Sequence, residues 1–245
     1  MDSGPIDWQA AQVDSSSLDV FLLGCVDFDA YLLLQDRLAV EIQSRTDRRG
    51  VVLACEHPAV YTLGRDGCSA DLPQDPDDLE AQRIPWRWVS RGGGTWRHGP
   101  GQLNLSIIVP TDRLGFSPVE FRECLVQSLL AMSKELKIPQ GKSADIPGIT
   151  GRIGQFAFIG AAIHSGVSQF GLIVNVAPGS GILNHAPQGR RSSALSAERL
   201  RPIAMPSVRE CLIRHLTAQL QYEQTHIRTG HPWLRRTRQT VPIHA

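Results

Sequence analysis

Arg91-Gly92-Gly93-Gly94-Thr95-Trp96-Arg97-His98-Gly99-Pro100-Gly101-Gln102 is the stretch on which the reading of this 245-residue chain turns. Five glycines in the eleven positions from Arg91 to Gly101 remove Cβ atoms that would hold a ligand away from the backbone. Two arginines and a histidine add donors, and Trp96 adds an apolar wall. By composition alone the stretch reads equally as a glycine-rich turn without a ligand, or as a phosphate cradle lacking its Lys-Ser/Thr end. Apolar strands are expected on both sides, at Trp86 to Val89 and Leu103 to Val109. The polar residues then sit in a loop between strands.

Outward from this loop, the chain reads as one medium-sized globular domain, 42% hydrophobic and 20% charged. A formal net charge of +1 provides no global field for nucleic acid or an anionic membrane, so selectivity has to come from a pocket. The five cysteines, 25, 55, 68, 124 and 211, form no CxxC pair, which argues against a disulfide framework or a zinc knuckle. The eight histidines show no ligand spacing with cysteines or carboxylates, and no metal site is expected. The first residues lack a basic region followed by an apolar run, and no later segment is long and apolar enough to span a membrane; a cytoplasmic, unexported protein is the expectation.

Tyr31, Leu34, Gln35, Leu38 and Ile42 share one face at helical spacing, predicting a helix over Asp29 to Ile42. Val51 to Cys55 reads as a strand and residues 66–85, rich in Asp, Pro and Gln, as a loop. Ser117-Pro118-Val119-Glu120 is a capping box before a helical run from Phe121 to Leu136, and Ser207-Val208-Arg209-Glu210 reads as a second, opening a helix through Leu220. Ala157 to Ile163 and Gly171 to Val176, separated by His164 to Ser168, predict a central hairpin. From His226 onward the chain reads as a basic tail, giving a domain over residues 20–222 with extensions 1–19 and 223–245. There are no repeats and no GxGxxG fingerprint. The fold class is α/β (α+β), a mixed sheet flanked by helices rather than a doubly wound nucleotide fold.

The motifs then carry a resemblance. Glu56-His57-Pro58-Ala59-Val60-Tyr61-Thr62-Leu63-Gly64-Arg65, Arg91-Gly92-Gly93 and His98-Gly99-Pro100-Gly101-Gln102-Leu103 closely resemble the lipoyl(octanoyl) transferases, the lipoate-protein ligase B family. Ala157 to Gly160, Gly166-Val167, Gly171-Leu172 leading to Asn175-Val176, and Ser193-Ala194-Leu195-Ser196-Ala197-Glu198 add to it; the resemblance spans roughly residues 20–220. It implies the biotin/lipoyl protein ligase fold. It also implies an acyltransferase that moves octanoyl from acyl carrier protein to a lysine of lipoyl domains in 2-oxoacid dehydrogenase and glycine-cleavage proteins, with no cofactor. Carried over by position, Arg91, Gly92, Gly93, Gly94, Thr95, Trp96, Arg97 and His98 line the acyl pocket, joined by Phe158, Ile159, Gly160, Gly171, Leu172 and Ile173.

Two departures concern the chemistry that the resemblance implies. The family carries its acyl group on a cysteine in P-C-G; here that segment reads Pro187-Gln188-Gly189, or, counted back from Ser193 without a gap, presents His185. The family lysine that polarises the carbonyl is Gln155. A glutamine amide has no ionisable proton near neutral pH and no free nitrogen lone pair, so Gln188 cannot form a thioester. Cys68 is the alternative thiol, and His185 the alternative nucleophile or base. An ATP-dependent ligase is not implied either, because Lys142 lies outside that branch's motif. Trp96 and Arg97 stand where a threonine and an aromatic residue usually precede the loop histidine, and Phe170 replaces a histidine. Two readings stay open: direct attack by the acceptor lysine on bound thioester, and a homologue that binds acyl group or lipoyl domain without turnover. The basic tail is a candidate guide for an acidic carrier.

Overall fold

The computed structural model of the chain describes residues 16–141, 147–184 and 191–234. Its main sheet has the order β11-β1-β2-β6-β10-β9-β8-β7. The strands are β1 (Ser17–Cys25), β2 (Gly50–Glu56), β6 (Gln102–Ile108), β7 (Gln140–Gly141), β8 (Gly148–Gly151), β9 (Gln155–His164), β10 (Val167–Asn175) and β11 (Gln224–Thr229). β1 pairs in parallel with both β2 and β11, and every other pairing is antiparallel, so the sheet is mixed as expected. A second sheet, β4-β3-β5, is built from β3 (Val60–Leu63), β4 (Trp86–Trp88) and β5 (Thr95–His98).

The period of two along each strand divides the main sheet into two different faces. Val52, Ala54, Leu103, Leu105, Ile107, Ala157, Ile159, Leu172 and Val174 point to one side, where α3 (Pro118–Glu135) and α6 (Met205–Gln219) pack on them and on each other. Leu53, Cys55 and Ile108 point to the other, where α1 (Phe28–Ser44) lays down Phe28, Tyr31, Leu34, Leu38 and Ile42. Asp27 starts α1 by accepting from the amides of Asp29 and Ala30, both at 3.0 Å. The site faces the α1 side, beneath the smaller sheet.

Several expectations change in the folded chain. The loop at 66–85 contains a 3₁₀ turn (Ser69–Asp71) and α2 (Pro76–Ala81), capped by Asp75. The second capping box does not form: α6 starts at Met205 with Ala204 as its cap, so Ser207 already lies inside the helix. The sheet begins at Ser17, three residues before the expected boundary. Gln224–Thr229 is a strand paired with β1, not a free tail, and Arg228 Nε meets Asp19 Oδ1 at 3.3 Å. Its residues are mostly exposed, so the apolar alternation that marks an interior strand was never present. The short helices α4 (Ser180–Leu183) and α5 (Leu195–Arg199) complete the described elements. No helix among the described residues is long and apolar enough to cross a membrane.

Candidate active site

Strand register assembles the floor of the site. One row across four strands runs Phe158, Ile173, Asn104 and Cys55, and the next runs Gly160, Gly171, Ser106 and Leu53. Along β6, Gln102, Asn104 and Ser106 alternate with Leu103, Leu105 and Ile107; the leucines enter the α3/α6 core and the buried polar residues face the site. Gln102 Nε2 donates to Asn175 Oδ1 at 2.9 Å, and Asn175 Nδ2 donates to Ser192 Oγ at 3.1 Å and the Ser193 carbonyl at 3.0 Å.

The glycine-rich loop and β5 form the roof. Arg91, 2% exposed, anchors it: Nη1 donates to the carbonyls of Gly92 and Gly94, each at 3.0 Å, and Nη2 to the carbonyl and hydroxyl of Thr62 at 2.9 and 2.6 Å. Gly92 N is fastened to the Ala161 carbonyl of β9 at 3.1 Å. Arg91's guanidinium also lies 3.6 Å from the centre of the Trp96 ring, a cation–π contact removed from water. Burial pulls the Arg91 pKa down to about 9, so it is still a cation at neutral pH. Gly160 has no room for a side chain: a Cβ there would lie 2.3 Å from Trp96 Cη2 and 2.9 Å from the Gly92 carbonyl.

Two recesses result. The inner one is bounded by Phe28, Arg91, Trp96, His98, Asn104, Gly160, Phe170, Gly171, Leu172 and Ile173. The outer one is bounded by Trp96, Arg97, Gln102, Phe158, Ile173, Asn175, Ile182 and Ser192. Trp96 and Ile173 belong to both, and with Phe158 they make a small apolar cluster of their own. None of these lining residues is a carboxylate, and Arg91 and Arg97 are basic, which suits a neutral or anionic ligand.

Two buried histidines close the inner end. His57 Nδ1 lies 2.8 Å from the Val26 carbonyl, an acceptor only, so that nitrogen carries the proton and Nε2 accepts from Asn104 Nδ2 at 2.6 Å. His98 Nε2 shares a hydrogen bond with Thr62 Oγ1 at 2.8 Å. Burial depresses the His57 pKa to about 4. Burial first, and then the charges of His57 and Arg91, hold His98 well below its usual value. Both rings are neutral and organise the pocket. Burial also pushes the neighbouring Cys55 thiol up, leaving it protonated and a poor nucleophile.

The sequence-derived residues therefore separate into groups. Arg91, Trp96, Arg97, His98, Phe158, Gly160, Gly171, Leu172 and Ile173 border the recesses. Gly92, Gly93, Gly94 and Thr95 do not; they shape the roof, with the Gly93 amide held by Asp66 Oδ2 at 2.9 Å and Thr95 Oγ1 3.4 Å from Asp71 Oδ2. Ile159 points into the opposite core, as does the side chain of Leu172, because strand neighbours alternate faces. Cys68 is exposed, precedes the 3₁₀ turn and borders neither recess. His185 and Gln188 lie outside the described residues. Gln155 is buried beside Ser192, its Nε2 donating to the Ala157 carbonyl at 3.1 Å.

Sequence reasoning did not assign Phe28, Gln102, Asn104, Phe170, Asn175, Ile182 and Ser192 to the lining, nor the part played by Glu198. The Gln-x-Asn-x-Ser alternation in β6 was the available signal for Asn104. Glu198 is 1% exposed; its carboxylate accepts the amides of Arg152, Ile153 and Gly154 at 2.7 to 3.0 Å and the Ser193 hydroxyl at 2.6 Å. It thereby ties the β8–β9 turn to the Ser193 segment and positions Gln155. The expectation of no clustered metal-type donors is also corrected. Glu135, Cys211 and His215 bring ligand atoms within 4.8 Å of one another between α3 and α6. None of the three borders either recess, and Glu135 is engaged by Arg214 Nη2 at 2.6 Å and His215 Nε2 at 2.8 Å.

The chain is similar to known proteins in sequence and in fold. A family model described as the lipoyl protein ligase A/B catalytic domain matches residues 27–219. An octanoyltransferase of Geobacter metallireducens is 28% identical, the match covering 86% of this chain and 97% of that protein. An octanoyltransferase of Pseudomonas putida is 30% identical over 77% of this chain and 86% of its own length. Among solved structures, lipoate-protein ligase A bound with ATP superposes with a TM-score of 0.70 at 16% identity, covering 88% of this chain and 90% of that one. A bipartite lipoate protein ligase from Thermoplasma acidophilum does so with a TM-score of 0.69 at 14% identity, covering 89% and 88%. At those identities the structures speak for the fold, and the sequence matches carry the kinship: the chain, with its mixed sheet, its roof of glycines and its paired recesses, belongs to the lipoyl protein ligase A/B catalytic-domain family.

Proposed function

We propose that the protein is an octanoyltransferase of protein lipoylation, taking octanoyl from acyl carrier protein and delivering it to a lysine of a lipoyl domain. The observation that supports this most is the apolar wall that Phe158, Ile173 and Trp96 give the outer recess, in a family whose relatives bear that activity. Each methylene buried there contributes roughly 0.8 kcal/mol, so an unbranched acyl chain fits the character of the walls.

The residues that replace the family's cysteine and lysine direct the route. Residues 125–210 contain no cysteine, and neither Gln188 nor Gln155 supplies a nucleophile or a cation. In our reading the acceptor lysine, as the free amine, attacks the thioester carbonyl directly. A C–N bond forms, the C–S bond breaks, and the amine proton leaves with the carrier's thiol. The protein contributes proximity and backbone donors, which alone supply a large share of many rate enhancements. Arg97, held to the Gly181 carbonyl at 2.7 Å, is placed to orient the thioester end.

Incubating the protein with octanoyl-acyl carrier protein and an apo lipoyl domain, then weighing all three intact, tests the proposal. The expected result is an octanoylated lipoyl domain with no adduct on the protein. An adduct on the protein would replace the direct route with a relocated nucleophile, to be mapped first at Cys68 and His185. Binding with no transfer above buffer would sink the catalytic reading and leave a binding protein.

A further inference from the structure

We infer that Trp96 sets the longest acyl chain this site accepts. The inference rests on the acyl-transfer reading above and adds its specificity determinant. The indole is 5% exposed and held on three sides. Arg91's guanidinium lies 3.6 Å from the ring centre, the Phe158 ring centroid is 6.0 Å away, and the backbone of Gly160 passes so close that no Cβ would fit. A side chain so confined does not swing aside without breaking the Arg91 contact that also anchors the roof.

Its position gives the confinement a consequence. The outer recess includes Ser192, whose neighbours in the chain are joined to Gln155, so this is the end next to the position of the family lysine. The inner recess ends against Phe28, His98 and Asn104. A chain laid inward along Phe158 and Ile173 meets the indole before it reaches the inner recess, and of the two residues common to both recesses only Trp96 comes from the roof. Shortening that side chain joins the recesses into one continuous slot.

The experiment uses a series of S-acyl-pantetheines from hexanoyl to tetradecanoyl with the full chain and its Trp96→Ala and Trp96→Leu variants. Binding is read by calorimetry and transfer by mass of the lipoyl domain. The wild type is expected to gain affinity with length up to a limit and then to stop gaining. In Trp96→Ala the gain continues through the following methylenes at about fourfold each, with Trp96→Leu intermediate and a milder change to the core. Identical length profiles in a variant that keeps the wild-type circular dichroism spectrum would overturn the inference, as would a wild type that binds the longest chain best. Failure of transfer at every length, in all three proteins, would strike the octanoyltransferase reading, while the binding series would still decide the role of Trp96.

Discussion

Glu198 shows how much a single buried carboxylate can organise. It accepts three backbone amides of the β8–β9 turn and one hydroxyl from the segment after residue 190, and these charge-assisted bonds are stronger than neutral ones. Glu198→Ala strands four donors in the interior. Unfolding by urea is expected to show a loss of about 3 kcal/mol, with Glu198→Gln losing less; a loss within error of wild type would mean that water replaces the carboxylate. Arg91 has the same character in the roof, where its five contacts suit a planar guanidinium and not an ammonium. Both residues stand in motifs quoted from the sequence. Their roles were not legible there, since a motif identifies a residue without saying which backbone groups, 44 to 46 residues away for Glu198, come to meet it.

At the scale of elements, the two expected capping boxes make a comparison. Ser117 accepts from the Glu120 amide at 3.3 Å while Glu120 Oε2 accepts from the Ser117 amide at 2.8 Å, so α3 begins where its local signal says. The equally good signal at Ser207 is overridden: Pro206 sits in the first turn of a helix that has already begun at Met205. Ser117→Ala is expected to cost about 1 kcal/mol and Ser207→Ala to stay within about 0.5 kcal/mol, both read from denaturation midpoints. The reverse ranking would show that α6 frays back to Ser207 in solution. The hairpin between β9 and β10 was readable for a firmer reason. Its two apolar flanks pair in register, but the turn is shorter than the expected His164 to Ser168: His164 and Val167 are already paired, and Ser165 and Gly166, at φ of +48° and +77°, alone make the left-handed two-residue loop.

Across the whole molecule, burial of two neutral histidines under α1 and the small sheet couples the site to pH. The unfolded chain protonates both near pH 6.5, whereas burial in the folded protein holds His57 down to about 4 and His98 well below its usual value. Below 6.5 the unfolded state therefore binds more protons, and stability, fully present above that pH, falls as the pH drops toward 4. By pH 5 His57 alone is expected to have cost about 2 kcal/mol, with His98 adding to the loss in the same direction, measured as urea midpoints from pH 7.5 to 4.5. A His98→Asn variant, which keeps a polar partner for Thr62, should show a shallower slope than the wild type; an unchanged slope would place that part of the acid sensitivity elsewhere.

The sequence by itself determined the fold class, the strongly periodic helices α1 and α3, the central hairpin and the kinship carried by the loop around Arg91 and His98. Each of these depends on neighbours along the chain: helical spacing, a cap three residues from its partner, two apolar runs a few residues apart, an ordered run of glycines. Tertiary structure decided which face of the sheet carries the site, and that Ile159 leaves it while Asn104 joins it. It also paired Gln224–Thr229 with β1, brought Glu135 to Cys211 and His215, and set Trp96 against Gly160 between two recesses. These outcomes depend on which distant backbones approach closely enough to exclude a Cβ or share a hydrogen bond, and such distances are set only when the whole sheet closes under its helices.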